Sequence, residues 1–169
     1  MKCNRPQGRF LLFSLLGLFL SNPSVAAPDF DKLQNKAFGT KKTKGLQHLN
    51  ALWAAAYSLK SWEFPIHPKS SLKKPAPIVV TLDGKKWVLA FTDGKRLQAL
   101  LKKQGWANKK SPGLFLSMTP LKGKLWLERL GKLGIHGVRF NEGKYGWFSP
   151  IVQLEPIYKH LKRLKLIKK

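Results

Sequence analysis

Cysteine is nearly missing from this chain: the single one, Cys3, stands ahead of the first apolar run. Beyond it, a disulfide framework, a cysteine-held metal and a thiol nucleophile are therefore excluded. Acidic side chains are almost as scarce, with eight Asp and Glu against 32 Lys and Arg and a formal net charge of +24 at pH 7. That leaves little material for paired-carboxylate acid–base chemistry. Asp83, Asp93 and Glu142 stand at turns or helix starts, where local backbone chemistry accounts for them. Long apolar runs are also wanting. Phe10 to Leu20 is too short to span a bilayer, which takes about 20 residues.

That run reads instead as an address. Lys2, Arg5 and Arg9 precede it, SNPSVAA follows it, and Ser24 and Ala26 fit the small-residue positions before a cleavage point. The pattern predicts a signal peptide over residues 1–26. Cleavage after Ala26 is preferred to Ala27, because Pro28 would otherwise follow the scissile bond directly. An uncleaved anchor is the competing reading. Cys3 lies on the wrong side of the apolar run to carry a lipid at a cleavage site. Export to a periplasm or beyond the cell is thus expected, with no transmembrane helix left after cleavage. The remaining chain stays strongly basic and is long enough for one domain with its own core.

Residues 27–45 show no sustained apolar period and read as a basic, flexible leader. From 46 to 169 the patterning is that of one domain. Leu46, Leu49, Leu52, Trp53, Ala56 and Leu59 recur at helical spacing. Trp62, Phe64 and Ile66 follow in a stretch punctuated by Pro65 and Pro68. The best-patterned segment is PIVVTLDGKKWVLAFTDGKRLQALLKKQG, from Pro77 to Gly105. Asp83-Gly84 between apolar runs predicts a two-residue hairpin turn. The implied register pairs Leu82 with Lys85, Val80 with Trp87 and Ile78 with Leu89. It puts the larger apolar side chains on one face and Val79, Thr81, Lys86, Val88 and Ala90 on the other. Thr92 is placed to cap a following helix, with Asp93 in its first turn and Gly105 ending it. Leu114 to Met118 reads as a short buried strand. Thr119-Pro120 opens another helix, weakened by about 1 kcal/mol at Gly123 relative to Ala and ended by Gly134. Val138–Asn141 and Tyr145–Phe148 form a second candidate hairpin around Glu142-Gly143. A basic amphipathic helix spans Leu154 to Ile167. The sum is an α+β single domain, its mixed sheet built from two hairpins and a short strand and packed by about four helices.

LNALWAAAYSLKSWEF, WVLAFTDGKRLQALL, the SMTP segment and GIHGVRFNEGKYGWFSPIVQLEPIYKHL together resemble the SseB N-terminal domain family over roughly Leu46 to Leu161. The resemblance implies a compact α/β domain used as an accessory or interaction module in bacteria. It brings no catalytic residues with it.

The candidate sites are few. His48, His67, His136 and His160 share no metal-ligand spacing, so no metal or cofactor is expected. No serine sits in a nucleophile elbow and no glycine-rich phosphate loop is present, so no catalytic residue is assigned and an enzyme is the least favoured class. Five cations are candidates for holding an anion: Lys95 and Arg96 at the start of the central helix, with Lys85, Lys86 and Arg139. Free N–H groups at a helix start favour such a ligand, whereas Thr92 and Asp93 as caps would already satisfy them. Trp62, Trp87, Trp106 and Trp147 could stack bases, though aromatics at strand spacing more simply form a core. The last helix could lie on a membrane surface or pack on its own domain. The favoured reading is an exported, non-enzymatic interaction module docking an acidic or anionic partner, an unknown protein or an anionic envelope polymer. The alternative is nonspecific binding of polyanions, nucleic acid or anionic membrane. A third possibility is that the lysines only keep the chain soluble.

Overall fold

The computed structural model describes residues 28–39, 45–71, 73–143 and 146–168. The expected signal peptide and its cleavage point lie outside them. The fold is α+β, with five helices and six strands among the described residues. Its centre is a hairpin. β2 (Val79–Leu82) pairs antiparallel with β3 (Lys85–Ala90), Leu82 facing Lys85 and Val80 facing Trp87, the register the alternation predicts. Asp83 and Gly84 both take positive φ, +50° and +70°, which lets the turn follow the twist of the strands.

The helix after this hairpin, α3 (Gly94–Lys103), starts one residue later than the sequence suggests. Asp93 is its cap, accepting a hydrogen bond from the Arg96 N–H at 2.9 Å. Thr92 is instead buried and tied to Asn141: its N–H donates to Asn141 Oδ1 at 3.0 Å, and Asn141 Nδ2 donates to Thr92 Oγ1 at 2.8 Å. Asn141 follows β5 (Gly137–Phe140), which lies parallel to β3. β6 (Trp147–Pro150) returns antiparallel to β5 and completes a mixed sheet of order β2-β3-β5-β6. This second hairpin sits slightly outside its expected bounds. Asn141 leaves the strand at φ +50° to reach Thr92, and Gly143 takes φ +119°.

Two short strands stand apart. β1 (Trp62–Pro65), expected only as a proline-punctuated stretch, pairs with β4 (Phe115–Met118). The expected short strand therefore joins a separate two-stranded sheet. Glu63 and Phe91 exchange both backbone hydrogen bonds, at 2.9 and 2.8 Å, and so tie this pair to the end of β3.

The helices follow the sequence reading with one addition, and with the last one set earlier, at Ile151–Arg163 where Leu154 to Ile167 is expected. α2 (Leu46–Tyr57), α4 (Pro120–Gly131) and α5 (Ile151–Arg163) pack over the sheet face formed by Val88, Ala90, Val138, Phe140 and Trp147. This is the face with the smaller β3 side chains. Their size leaves room for Trp53, whose ring meets Phe140 and Trp147 edge-on at 5.8 and 6.2 Å. α5 is anchored by buried Ile151, Leu154 and Leu161, and Tyr57 Oη donates to the Leu154 carbonyl at 3.0 Å. Its apolar stripe packs on the domain, although Leu164, expected inward, is exposed.

The addition is α1 (Phe30–Phe38), inside the expected flexible leader. Asp29 caps it by accepting from the Lys32 N–H at 3.0 Å, and Phe30 is buried, stacked on Trp147 at 5.7 Å. Buried Phe30 and Ala37, Leu33 beside them and the cap hold this short helix, too few apolar positions to register as a sustained period.

The opposite sheet face is covered only at one end. There Ile78, Leu89 and Phe91 pack under Leu97 and Leu101 of α3. At the other end Leu82 and Phe148 remain exposed.

Candidate functional site

The uncovered end of the sheet forms a cleft of about 310 Å³, lined by Leu82, Asp83, Lys85, Trp87, His136, Arg139, Phe148 and Pro150. The register explains the gathering. Trp87 lies level with Gly137 on β5, and Gly137 with Pro150 on β6; Arg139 stands opposite Phe148. Gly137 is required by this floor, since a Cβ there would come within 2.3 Å of the Trp87 ring and 2.6 Å of the Ser149 carbonyl. The indole is thus laid across a strand that has no side chain at that point. His136 and Phe148 meet its ring edge-on at 4.8 and 5.3 Å. Trp87 is itself buried, while Phe148 is 61% exposed. Trp87 Nε1 is buried and has no hydrogen-bond partner among the described residues.

Cations flank these rings. Lys85 is exposed and makes no ion pair among the described residues. Arg139 Nε meets Glu142 Oε2 at 3.0 Å, which occupies one edge of the guanidinium. The cleft therefore offers an apolar floor, a solvated aromatic and two cations, with Asp83 as its one carboxylate. Such a surface suits a ligand with both apolar and acidic groups.

His136 also lines a second hollow, of about 430 Å³, between the end of α4 and the start of α5, together with Lys132, Ile135 and Val152. Deeper in, Lys124 is buried and hydrogen-bonded to Glu128 Oε1 at 2.9 Å and to Glu155 Oε2. Burial alone would lower the Lys124 ammonium, but those two carboxylates outweigh it and hold it above its ordinary value. In return, the Lys124 hydrogen bond holds Glu155 below the usual carboxylate range. Burial pushes the Tyr57 phenol well above its own ordinary value.

The five cations expected to hold an anion do not form one site. Lys85 and Arg139 share the cleft, but Lys86 pairs with Thr81 on the opposite sheet face. Lys95 and Arg96 line a separate groove of about 420 Å³ at the start of α3, with Asp29, Phe30 and Asp93. There Arg96 is already engaged. Its guanidinium is paired with Asp31 of α1 and lies 3.6 Å from Asp93, whose carboxylate also caps the helix. Three aspartates around this helix end supply the negative charge that an anion would bring. Arg96 instead fastens α1 to α3.

Of the four tryptophans considered for stacking bases, Trp62, Trp87 and Trp147 are buried. Trp62 Nε1 donates to the Ala56 carbonyl at 2.8 Å, fixing it in the core. His67 accepts from the Lys69 N–H at 3.2 Å, and His160 lies 3.1 Å from Arg163. Among the described residues no group of three or more His, Cys, Asp or Glu could hold a metal ion, and no helix is long and apolar enough to cross a membrane.

Phe148 and His136 escape a reading of the sequence alone. Their meeting with Trp87 depends on the parallel β3–β5 pairing, and strands so far apart in the chain carry no local mark of one another. No family model, curated protein or solved structure matches the chain.

Proposed function

We propose that the protein is an exported, non-enzymatic interaction module that docks an acidic protein partner in the cleft beside Phe148. The observation carrying this reading is the exposed Phe148 set over a buried Trp87 between Lys85 and Arg139. A large aromatic held in water beside Lys85, which makes no ion pair among the described residues, suits docking against a partly apolar, acidic surface that would cover the ring and meet the charge. The resemblance to SseB N-terminal domains is in keeping with an accessory role of this kind.

The test is capture from an envelope extract with immobilised protein at two salt concentrations, using the wild type, Phe148→Ser and Lys85→Glu, with Lys109→Glu as a distant control. A partner retained at higher salt and lost only with the two cleft variants supports the reading. Equal capture by all four, abolished by salt, overturns it.

A second reading, nonspecific polyanion binding, draws on the net charge of +24, far more than one cleft employs. It requires a steep linear fall of log K with log salt, its slope counting the counterions released.

A further inference from the structure

α4 and α5 lie side by side and run in opposite directions. Lys124 reaches Glu155, and a Cβ on Gly131 would come within 3.3 Å of Ile151. Both helices turn buried residues toward the core, Gly123 and Leu127 from α4, Leu154 and Leu161 from α5. A helix advances about 100° per residue, so Leu121, Leu125 and Lys132 fall within roughly 40° of one another, away from Gly123 and Leu127. Val152, Lys159 and Arg163 cluster in the same way opposite Leu154 and Leu161. All six are exposed, Leu121 at 45%, Leu125 at 52% and Val152 at 75%. The two rows form the outer surface of the helix pair.

Charge on this surface does not balance. Pro120 to Lys132 and Ile151 to Arg163 hold seven Lys and Arg against two carboxylates, Glu128 and Glu155. Both carboxylates are bonded to Lys124, and Glu155 also to Lys159. Arg129, Lys132, Lys162 and Arg163 make no ion pair among the described residues. Apolar exposure gathers in the same place. Of eleven large apolar side chains exposed among the described residues, six lie on these helices or just past their ends: Leu121, Leu125, Leu133, Val152, Leu164 and Leu166. An anionic surface with an apolar layer beneath it complements both features.

We infer that the outer face of α4 and α5 is a second contact surface, and that it seats on the anionic headgroups of a lipid bilayer. Both helix axes then lie in the plane of the membrane. Leu121, Leu125 and Val152 enter the headgroup boundary. Arg129, Lys132, Lys159 and Arg163 meet the lipid phosphates, their stems lying along the apolar layer. The inward faces of both helices stay on the core, so the domain binds without opening. A second copy of the chain would bring the same cations to the contact and is repelled. A nucleic acid would meet the cations and leave the leucines in water. Seating of this face requires nothing of the cleft beside Phe148.

The probe is vesicles of phosphatidylcholine and phosphatidylglycerol in equal parts, against vesicles of phosphatidylcholine alone. The chain from Ala27 onward is used, which holds every described residue and omits the apolar run at 10–20 that would itself enter lipid. Sedimentation with vesicles compares the wild type, the double variant Leu121→Ser/Leu125→Ser, Lys132→Glu, Phe148→Ser and Lys109→Glu, each checked for folding by circular dichroism. Lys109 follows α3, on the other side of the sheet. Binding to the anionic vesicles only is expected, weakened about tenfold by the leucine pair and by Lys132→Glu, and unchanged by Phe148→Ser and Lys109→Glu. Leu125→Ser alone takes the place of the double variant if that does not fold. No cysteine occurs after residue 26, so Leu125→Cys carries a single environment-sensitive dye. Its emission should shift to the blue on anionic vesicles, and the same dye on Lys109→Cys should not shift. Losses no greater at the leucines and Lys132 than at Lys109 would mean diffuse charge alone and overturn the inference. No binding, equal binding to both vesicles, or a dye at position 125 that stays in water overturns it too. Vesicle binding lost with Phe148→Ser but not with the leucine pair would seat lipid in the cleft instead, against the inference. Duplex DNA bound more tightly than vesicles at equal phosphate, with the same loss in Lys132→Glu, would assign the face to nucleic acid and also overturn it.

Discussion

At the scale of single residues, the most constrained positions are those where a side chain is missing or a polar one is buried. Gly137 is the first kind. Gly137→Ala forces a methyl group into the Trp87 ring and a backbone carbonyl, neither of which is free to yield inside a sheet. A loss of about 3 kcal/mol is expected from such overpacking, read as a lowered urea midpoint. A loss below about 1 kcal/mol would mean that the indole can lift away. Gly123 shows the same device more gently. A Cβ there would stand 3.0 Å from Trp62, so this helix gives up some propensity to let an aromatic approach. Asn141 is the second kind. Asn141→Ala leaves the Thr92 N–H and hydroxyl without their partner in a buried place, at a cost of about 2 kcal/mol. Thr92→Val combined with it should cost little more than Asn141→Ala alone, because the two act as one unit; additive losses in a double-mutant cycle would refute that coupling.

At the scale of elements, α1 is where the structure adds most. Phe30→Ala removes its one inserted aromatic from against Trp147, and about 3 kcal/mol of stability should go with it. Limited proteolysis then distinguishes the mechanism: early tryptic cleavage at Lys32 and Lys36 within α1 is expected in the variant and resistance there in the wild type. Equal protease sensitivity in both would show that α1 is not held. The contrast with the first hairpin explains what a sequence can disclose. Asp83-Gly84 and strict alternation specify the β2–β3 register locally, and that register is the one observed. The helices at 46, 94, 120 and 151 are likewise legible in their apolar stripes. α1 is not, because what holds it are partners distant in sequence: Trp147 against Phe30, and Arg96 against Asp31. The pairing of β1 with β4 escapes for the same reason, as does the cleft. Lys85 and Arg139 can be picked out as cations, but only the parallel β3–β5 contact makes them neighbours around Trp87.

At the scale of the whole molecule, the fold carries charge of one sign with few counter-charges, and two of them join neighbouring helices. Asp31 fastens α1 to α3 through Arg96, and Glu155 of α5 holds to α4 through Lys124, which also bonds Glu128 of its own helix. Acid should therefore act on helix docking before it acts on the sheet. Glu155 is held below its ordinary value in the folded state, so it contributes stability that is fully present above the unfolded carboxylate value of about 4.3 and lost as pH falls through its folded value. Lys124 is raised, so its contribution is full below its unfolded value and lost only as pH climbs above the ordinary lysine range. Thermal unfolding of Glu155→Gln against the wild type checks the acid limb. The variant should lose less stability between pH 5 and pH 3, and parallel curves would assign the acid sensitivity to other carboxylates.

The parallel contact between β3 and β5 also sets a clock. Thr92 and Asn141, which lock its end, are 49 residues apart in sequence, with α3, β4 and α4 lying between the two strands in the chain. Loop closure on that scale is entropically costly and slows folding relative to a chain of local contacts. For the exported chain proposed above, late closure of the central sheet would keep the polypeptide threadable during export.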